Sequence, residues 1–203
     1  FSITFSSNPS PYFNFSSTDL PLVLINSLGQ TIPPGPKVDA WMGIIDNGAI
    51  VRNHLNDIPN SFSGLIGIEL RGNSSLGFPQ KQYNIETRDS AGGNLDVSLL
   101  GMPSENDWVL YGPYNDKTLL RNSLTYELAR QMGRYAPRGK YCEVVLNGEY
   151  IGVYTLFEKI KKDSSRVDIA TLSTTDTAGP ELTGGYICSV DWGGNAGWVS
   201  NFP

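Results

Sequence analysis

The chain is 203 residues long, 39% hydrophobic and only 17% charged, with a net charge of −5 and a pI near 4.8. That apolar content suits one domain or slightly more and excludes wholesale disorder, while the acidic balance excludes a general nucleic-acid binder, which needs a basic footprint. No run reaches the roughly 18 apolar residues of a bilayer span, so no membrane span is expected.

Charge is sparse at the start, with six charged side chains in residues 1–60 against twelve in 134–168. The first third reads as β structure broken by turns. Leu20 to Ile25 is a strand-sized apolar run, the Pro33-Pro34-Gly35-Pro36 segment is a loop, Trp41 to Ile45 is a second strand, and Asp46-Asn47-Gly48 is a turn. From Leu65 to Arg71 the residues alternate, with Ile66, Ile68 and Leu70 on one face and Glu69 and Arg71 on the other. A small-residue loop, Gly72 to Gly77, leads into a second alternating run, Lys81 to Thr87. Here Lys81 shares the face of Tyr83 and Ile85. A lysine at the head of a core-facing row either snorkels to the sheet edge, where a surface carboxylate pairs with it, or meets an anion.

Asp107 to Tyr111 is the next strand, and Asn115-Asp116 supplies helix caps. The spacing predicts a helix from about Lys117 to Met132, ended by Gly133, with Leu120, Leu124, Leu128 and Met132 as its core-facing stripe. Arg121 falls inside that stripe and Glu127 on its edge, and an inward arginine requires a partner. Tyr141 to Leu146 and Glu149 to Leu156, joined by Asn147-Gly148, form a hairpin with a type I′ turn. The order of strands, one long helix and a hairpin predicts an α+β fold, a twisted antiparallel sheet with one main helix on one face. Residues 1–63 form a β-rich N-terminal extension to a unit over 64–203.

Several chemistries have little material. His54 is the only histidine and sits in a polar loop, so neither a histidine-based zinc site nor a Ser-His-Asp triad is expected, and no metal-ligating residue is assigned. Gly72 and Gly77 have phosphate-loop spacing, but Phe78 stands where that motif requires lysine. Cys142 and Cys188 leave two readings open, a disulfide or two buried thiols. The chain begins at Phe1 with no leader before it, so a processed mature form or a cut fragment is expected. With its few charges and many Ser, Asn, Gly and aromatic residues, the chain resembles exported domains, and the expected location is extracellular or at the cell surface.

A strand, a small-residue loop, an inward lysine, a helix with an edge carboxylate and a hairpin together make the part list of a kinase small lobe. Specific segments sharpen this: Arg71-Gly72-Asn73-Ser74-Ser75, Pro79-Gln80-Lys81-Gln82-Tyr83, Leu99-Leu100-Gly101-Met102-Pro103, Asn106-Asp107-Trp108, Asp116-Lys117 and Leu120-Arg121-Asn122. So do Tyr135-Ala136-Pro137-Arg138, Leu146 through Gly152, Glu158-Lys159-Ile160, Arg166-Val167-Asp168-Ile169 and Gly184-Gly185-Tyr186-Ile187. Taken in order over about residues 64–191, they resemble the spore-coat protein H (CotH) kinase-like family. Trp41 to Gly48 is similar to the β-rich lead-in of its surface-exposed bacterial members.

The resemblance implies an atypical protein kinase that uses ATP and magnesium to phosphorylate Ser or Thr on partner proteins. It makes Lys81 the phosphate-binding lysine, gives Arg71 and Arg121 the task of orienting phosphates or bracing the loop, and puts Glu158 near the hinge after the hairpin. Arg71 and Asn122 equally suit structural hydrogen bonding. In this family the catalytic base and the metal-binding aspartates lie in a second lobe beyond the Gly-Gly-Tyr-Ile strand. With only Asp191 acidic after Glu181, the 203 residues are expected to be an N-terminal portion that does not transfer phosphate alone. The competing expectation is a non-catalytic surface, assembly or glycan-binding module that uses Trp192 and Trp198.

Overall fold

The computed structural model describes residues 15–187. Cys188, Asp191, Trp192 and Trp198, on which the disulfide, the last acidic group and the aromatic binding surface depend, lie outside the described residues. The chain divides into two compact units, Phe1–Ile160 and Lys161–Pro203.

In the first unit the strands are β1 (Ser17–Thr18), β2 (Leu22–Asn26), β3 (Val38–Ile45), β4 (Asn53–His54), β5 (Phe62–Arg71), β6 (Gln82–Arg88), β7 (Asp107–Tyr111), β8 (Gly139–Leu146) and β9 (Glu149–Glu158). One α-helix, α1 (Arg121–Gln131), lies between β7 and β8, and a 3-10 turn occupies Ser74–Gly77. Strands β1 and β4 pair with each other, and the other seven close into a barrel in the order β2-β3-β5-β6-β7-β9-β8.

This corrects the α+β expectation of an antiparallel sheet with one main helix. The architecture is mostly β, and the sheet has no open edge. Six of the seven barrel seams are antiparallel. The seventh is parallel and runs from Leu22 opposite Glu143 to Ile25 opposite Leu146. It joins segments about 120 residues apart, and such pairing leaves no turn or local period in the sequence to announce it. The barrel therefore draws staves from both sides of residue 63.

Alternation explains how the cylinder fills. Val23 and Ile25, Ala40, Met42 and Ile44, Ile66 and Ile68, Tyr83 and Ile85, Trp108 and Leu110, Cys142 and Val144, and Tyr154 and Leu156 form one buried cluster. Leu99, Leu100 and Met102 of the β6–β7 connection join it. Trp108 is wholly buried and donates its indole N–H to the Glu105 carbonyl at 3.1 Å. Cys142 is a free thiol in this core, and burial pushes its pKa up to about 12, so it is protonated and inert. On the outside, Leu22, Leu24, Ile45 and Val145 make a second apolar cluster with Phe15, Trp41, Leu55 and Tyr150. Elsewhere the exterior carries ion pairs, Lys37 to Glu86, Glu86 to Arg88 and Arg88 to Asp39. The Asn147-Gly148 turn has the positive φ values, +52° and +83°, that its type requires.

Helix α1 departs from its sequence reading at both its start and its facing. Leu119 has φ +62°, a left-handed conformation that a right-handed helix cannot include, so the helix begins at Arg121. Its end follows the expectation, with Gly133 at φ +74° beyond the last turn. The facing is reversed. Leu120, Leu124, Leu128 and Met132 are all more than half exposed, and no residue of α1 is fully buried. The face toward the barrel carries Asn122, Tyr126 and Arg130 instead. Tyr126 stands edge-on to Phe157 of β9, with centroids 5.3 Å apart, and Arg130 donates to the carbonyls of Pro137 at 2.6 Å and Ala136 at 3.4 Å.

The second unit, over its described residues, is a short loop structure. Lys162 bridges Val167, Asp163 accepts the amide and hydroxyl of Ser165, and α2 (Pro180–Thr183) follows. Among the described residues no helix is long and apolar enough to cross a membrane.

Candidate functional site

A cavity of about 400 Å³, within the usual range for small-molecule sites, opens between the outer face of the barrel and α1. Strand register gives its floor. Asn84, Val109 and Phe157 lie in one row across β6, β7 and β9, and Tyr111 lies one pleat further on, opposite Thr155. Helix α1 supplies the wall with Asn122 and Tyr126, and Pro137 and the β9 exit, Glu158-Lys159-Ile160, complete the lining with Arg71.

The two ends of this floor differ chemically. Arg71, the last residue of β5, pairs with Gln82, which is adjacent to the Tyr83–Leu110 pair, so Arg71 and Tyr111 share one end. The start of α1 belongs to that end as well, because Leu119 accepts a hydrogen bond from Tyr141, whose strand partner Thr155 also faces Tyr111. Glu158 is three residues along β9 from Thr155, roughly 10 Å at strand rise. The Glu158 end is lined by Pro137 and Ile160 together with two charged groups, Lys159 and the Arg138-bound Glu158, and the middle by Val109 and Phe157, whereas the Arg71 end carries the guanidinium, Asn122 and Tyr111. Burial first, then the negative charge of Asp116 and the Tyr126 phenol, hold the Tyr111 pKa above its ordinary value while Arg71 opposes them. All three groups are therefore within electrostatic reach of the Tyr111 hydroxyl.

Of the four residues assigned from the sequence, the cavity brings together two. Arg71 lines it, with an exposed side chain that takes one 3.3 Å hydrogen bond from its Nη1 to Gln82 Oε1. Glu158 also lines it, but its wholly buried carboxylate is engaged by Arg138, whose Nε and Nη2 approach it at 2.9–3.0 Å and whose backbone N–H donates at 2.8 Å. Glu158 is thus the anchor of Arg138. Lys81 is not in the lining; its ammonium donates to the Leu76 carbonyl at 2.6 Å and ties down the loop after β5. Arg121 was expected to point inward, and its side chain is 76% exposed, 3.6 Å from Asp116. The reason is the rotation of α1, which turns the leucine face and Arg121 with it toward solvent.

Asp116 meets the helix differently from the cap expected of Asn115-Asp116: the N-cap position is Leu120, and Asp116 reaches the first helical amide from five residues back. One oxygen accepts the amide and hydroxyl of Thr118, and the other accepts the Arg121 amide at 2.8 Å. A second brace links the two loops beside the site, where Phe78 stacks on Tyr114 at 5.3 Å and Lys117 lies 4.2 Å over the Tyr114 ring. The sequence reading missed Tyr111, Tyr126 and Lys159 as lining residues. The alternation of β7 could have flagged Tyr111, since it points away from Leu110.

The family model described as CotH kinase protein matches residues 68–194, well over half of the chain. The chain belongs to the CotH family. Residues 1–67 and 195–203 fall outside the match, so the cavity is lined entirely by matched residues, while the barrel strands β2 and β3 and the first part of β5 come from outside it. A search of the curated proteins returned no match.

The groups that the family implies fit this cavity unequally. A nucleotide would meet apolar and aromatic surface in Val109, Phe157, Pro137 and Ile160 and a lining cation at each end, Arg71 and Lys159. Magnesium does not fit, because among the described residues no group of three or more His, Cys, Asp or Glu side chains could hold a metal, and the one lining carboxylate is taken by Arg138.

Proposed function

We propose that this CotH chain supplies the nucleotide-binding lobe of a protein kinase that phosphorylates Ser or Thr on partner proteins, with ATP held in the cavity between the barrel and α1. The observation that carries the reading is the cavity's lining: Val109, Phe157, Pro137 and Ile160 offer apolar surface for the base, and Arg71, at the Tyr111 end of the floor, offers a cation for the phosphates. This reading places Glu158 in a supporting role and gives the anion contact to Arg71. It routes no step through a metal.

Calorimetric titration of the purified chain with ATP tests it. Binding that weakens about tenfold or more in Arg71→Gln supports the reading, since hydrogen bonds to charged groups contribute about 1.5–3 kcal/mol. Equal affinity in the variant, or no binding by the unaltered chain, refutes it.

A further inference from the structure

The outward side of α1 is a surface that neither the barrel nor the cavity uses. Leu120, Leu124, Leu128 and Met132 recur every fourth residue, so they form one ridge along the helix, and they are 51–77% exposed. Rolling the helix cannot hide them, because three contacts hold its rotation. Tyr141 donates to the Leu119 carbonyl, Tyr126 packs edge-on against Phe157, and Arg130 donates to the Ala136 and Pro137 carbonyls. A contiguous apolar ridge kept in water and rimmed by polar groups marks an interaction site, unlike apolar residues scattered singly.

Charge says what the ridge meets. Residues 117–138 hold five of the chain's fifteen cationic side chains and one of its twenty acidic ones. That acid, Glu127, is taken by Arg130 at 2.6 Å and by Gln131 at 3.0 Å. Lys117 and Arg121 are exposed at the start of the ridge and Arg134 at its end, and Arg121 is held only loosely, 3.6 Å from Asp116. A second copy of this chain is a poor occupant. Antiparallel pairing of two ridges sets the Arg121 end against the Arg134 end and parallel pairing sets each end against itself, cation on cation either way. An anionic bilayer is a poor one too, because the rest of the chain carries nineteen acids against ten cations and meets that surface with the wrong sign. The ridge is about 16 Å long, which suits a short helix laid alongside it.

We propose that this face of α1 docks an acidic amphipathic helix of a partner protein, whose apolar side chains cover Leu120, Leu124, Leu128 and Met132 and whose carboxylates reach Lys117, Arg121 and Arg134. The face is opposite to the one that carries Asn122 and Tyr126 into the cavity, so the proposal does not depend on the nucleotide reading.

Fluorescence anisotropy with two labelled peptides of about 20 residues tests it, both with leucines at helical spacing, one flanked by glutamates and the other by lysines. The glutamate peptide should bind the full chain, less tightly as salt rises, and the lysine peptide should bind about tenfold more weakly or worse. Leu124→Gln combined with Leu128→Gln should weaken the glutamate peptide about tenfold or more, and Arg121→Gln should weaken it and flatten its salt dependence. Thermal unfolding verifies that each variant is folded. Equal binding of the two peptides, no binding of either, or binding that ignores the leucine variant overturns the proposal. Flotation with phosphatidylglycerol–phosphatidylcholine vesicles and sedimentation velocity test the other occupants. Vesicle binding or dimerisation that the leucine variant abolishes overturns the acidic helix in favour of a bilayer or a second copy.

Discussion

Replacing Glu158 with Gln perturbs the most heavily bonded charge beside the cavity. The carboxylate is wholly buried, accepts from Arg138 Nε and Nη2 at 2.9–3.0 Å, and takes the Arg138 backbone amide at 2.8 Å. Removing one partner of a buried ion pair costs about 3–5 kcal/mol, because the other charge stays in place without its counterion. Here the survivor is Arg138, whose side chain is 37% exposed, so water recovers part of that loss. A destabilisation of about 3 kcal/mol is expected, or about 6–12 °C in Tm for a chain of this size. Arg138→Met should cost at least as much, since it strands the carboxylate in the less exposed position. The double variant should fall well short of the sum of the two, the signature of a direct pair. Urea unfolding followed by tryptophan fluorescence reads all three. If Glu158→Gln shifts stability by less than about 0.5 kcal/mol, or if the two changes are additive, Glu158 is not the anchor described here.

The other expectations concern α1. Leu124→Lys should leave stability within about 0.5 kcal/mol, because Leu124 is 57% exposed, whereas Leu110→Ala in the barrel interior should cost about 2–5 kcal/mol. A large loss from Leu124→Lys in thermal unfolding would mean the leucine face is covered. The Asp116 carboxyl is held below its ordinary pKa chiefly by the Thr118 hydroxyl, with the Thr118 and Arg121 amides assisting. A depressed folded-state pKa gives stability that is fully present above the unfolded value of about 3.9 and is lost as pH falls through the lower folded value. Urea midpoints at pH 5 and pH 2.5 should therefore differ less in Asp116→Asn than in the unaltered chain. An equal acid-induced loss in both would remove Asp116 from the account.

Much of the β structure was legible because its signals are local. Period-two alternation marked β5 and β6, with Ile66, Ile68, Tyr83 and Ile85 on the face that proves to be the barrel interior. Asn-Gly marked the β8–β9 turn, and Gly133 marked the end of α1. The family was legible too, because short motifs in a fixed order survive without any knowledge of where they meet in space. Arg71 was found among those motifs, and the structure brings it to the cavity.

The tertiary structure alone decided closure, facing and partnership. The parallel seam between β2 and β8 joins residues that share no turn, so the sequence shows two strands but not their pairing. Helical periodicity identifies a leucine stripe, yet a period is the same whichever side of the helix meets the barrel. On α1 the contacts of Tyr126 with Phe157 and of Arg130 with the Ala136 and Pro137 carbonyls set the rotation, and the leucines face outward. Likewise Lys81 and Glu158 were singled out by residue type and position, but charge alone does not name a partner. Their neighbours, the Leu76 carbonyl and Arg138, come from chain segments that fold back beside them, and these neighbours determine that one ties a loop and the other anchors an arginine.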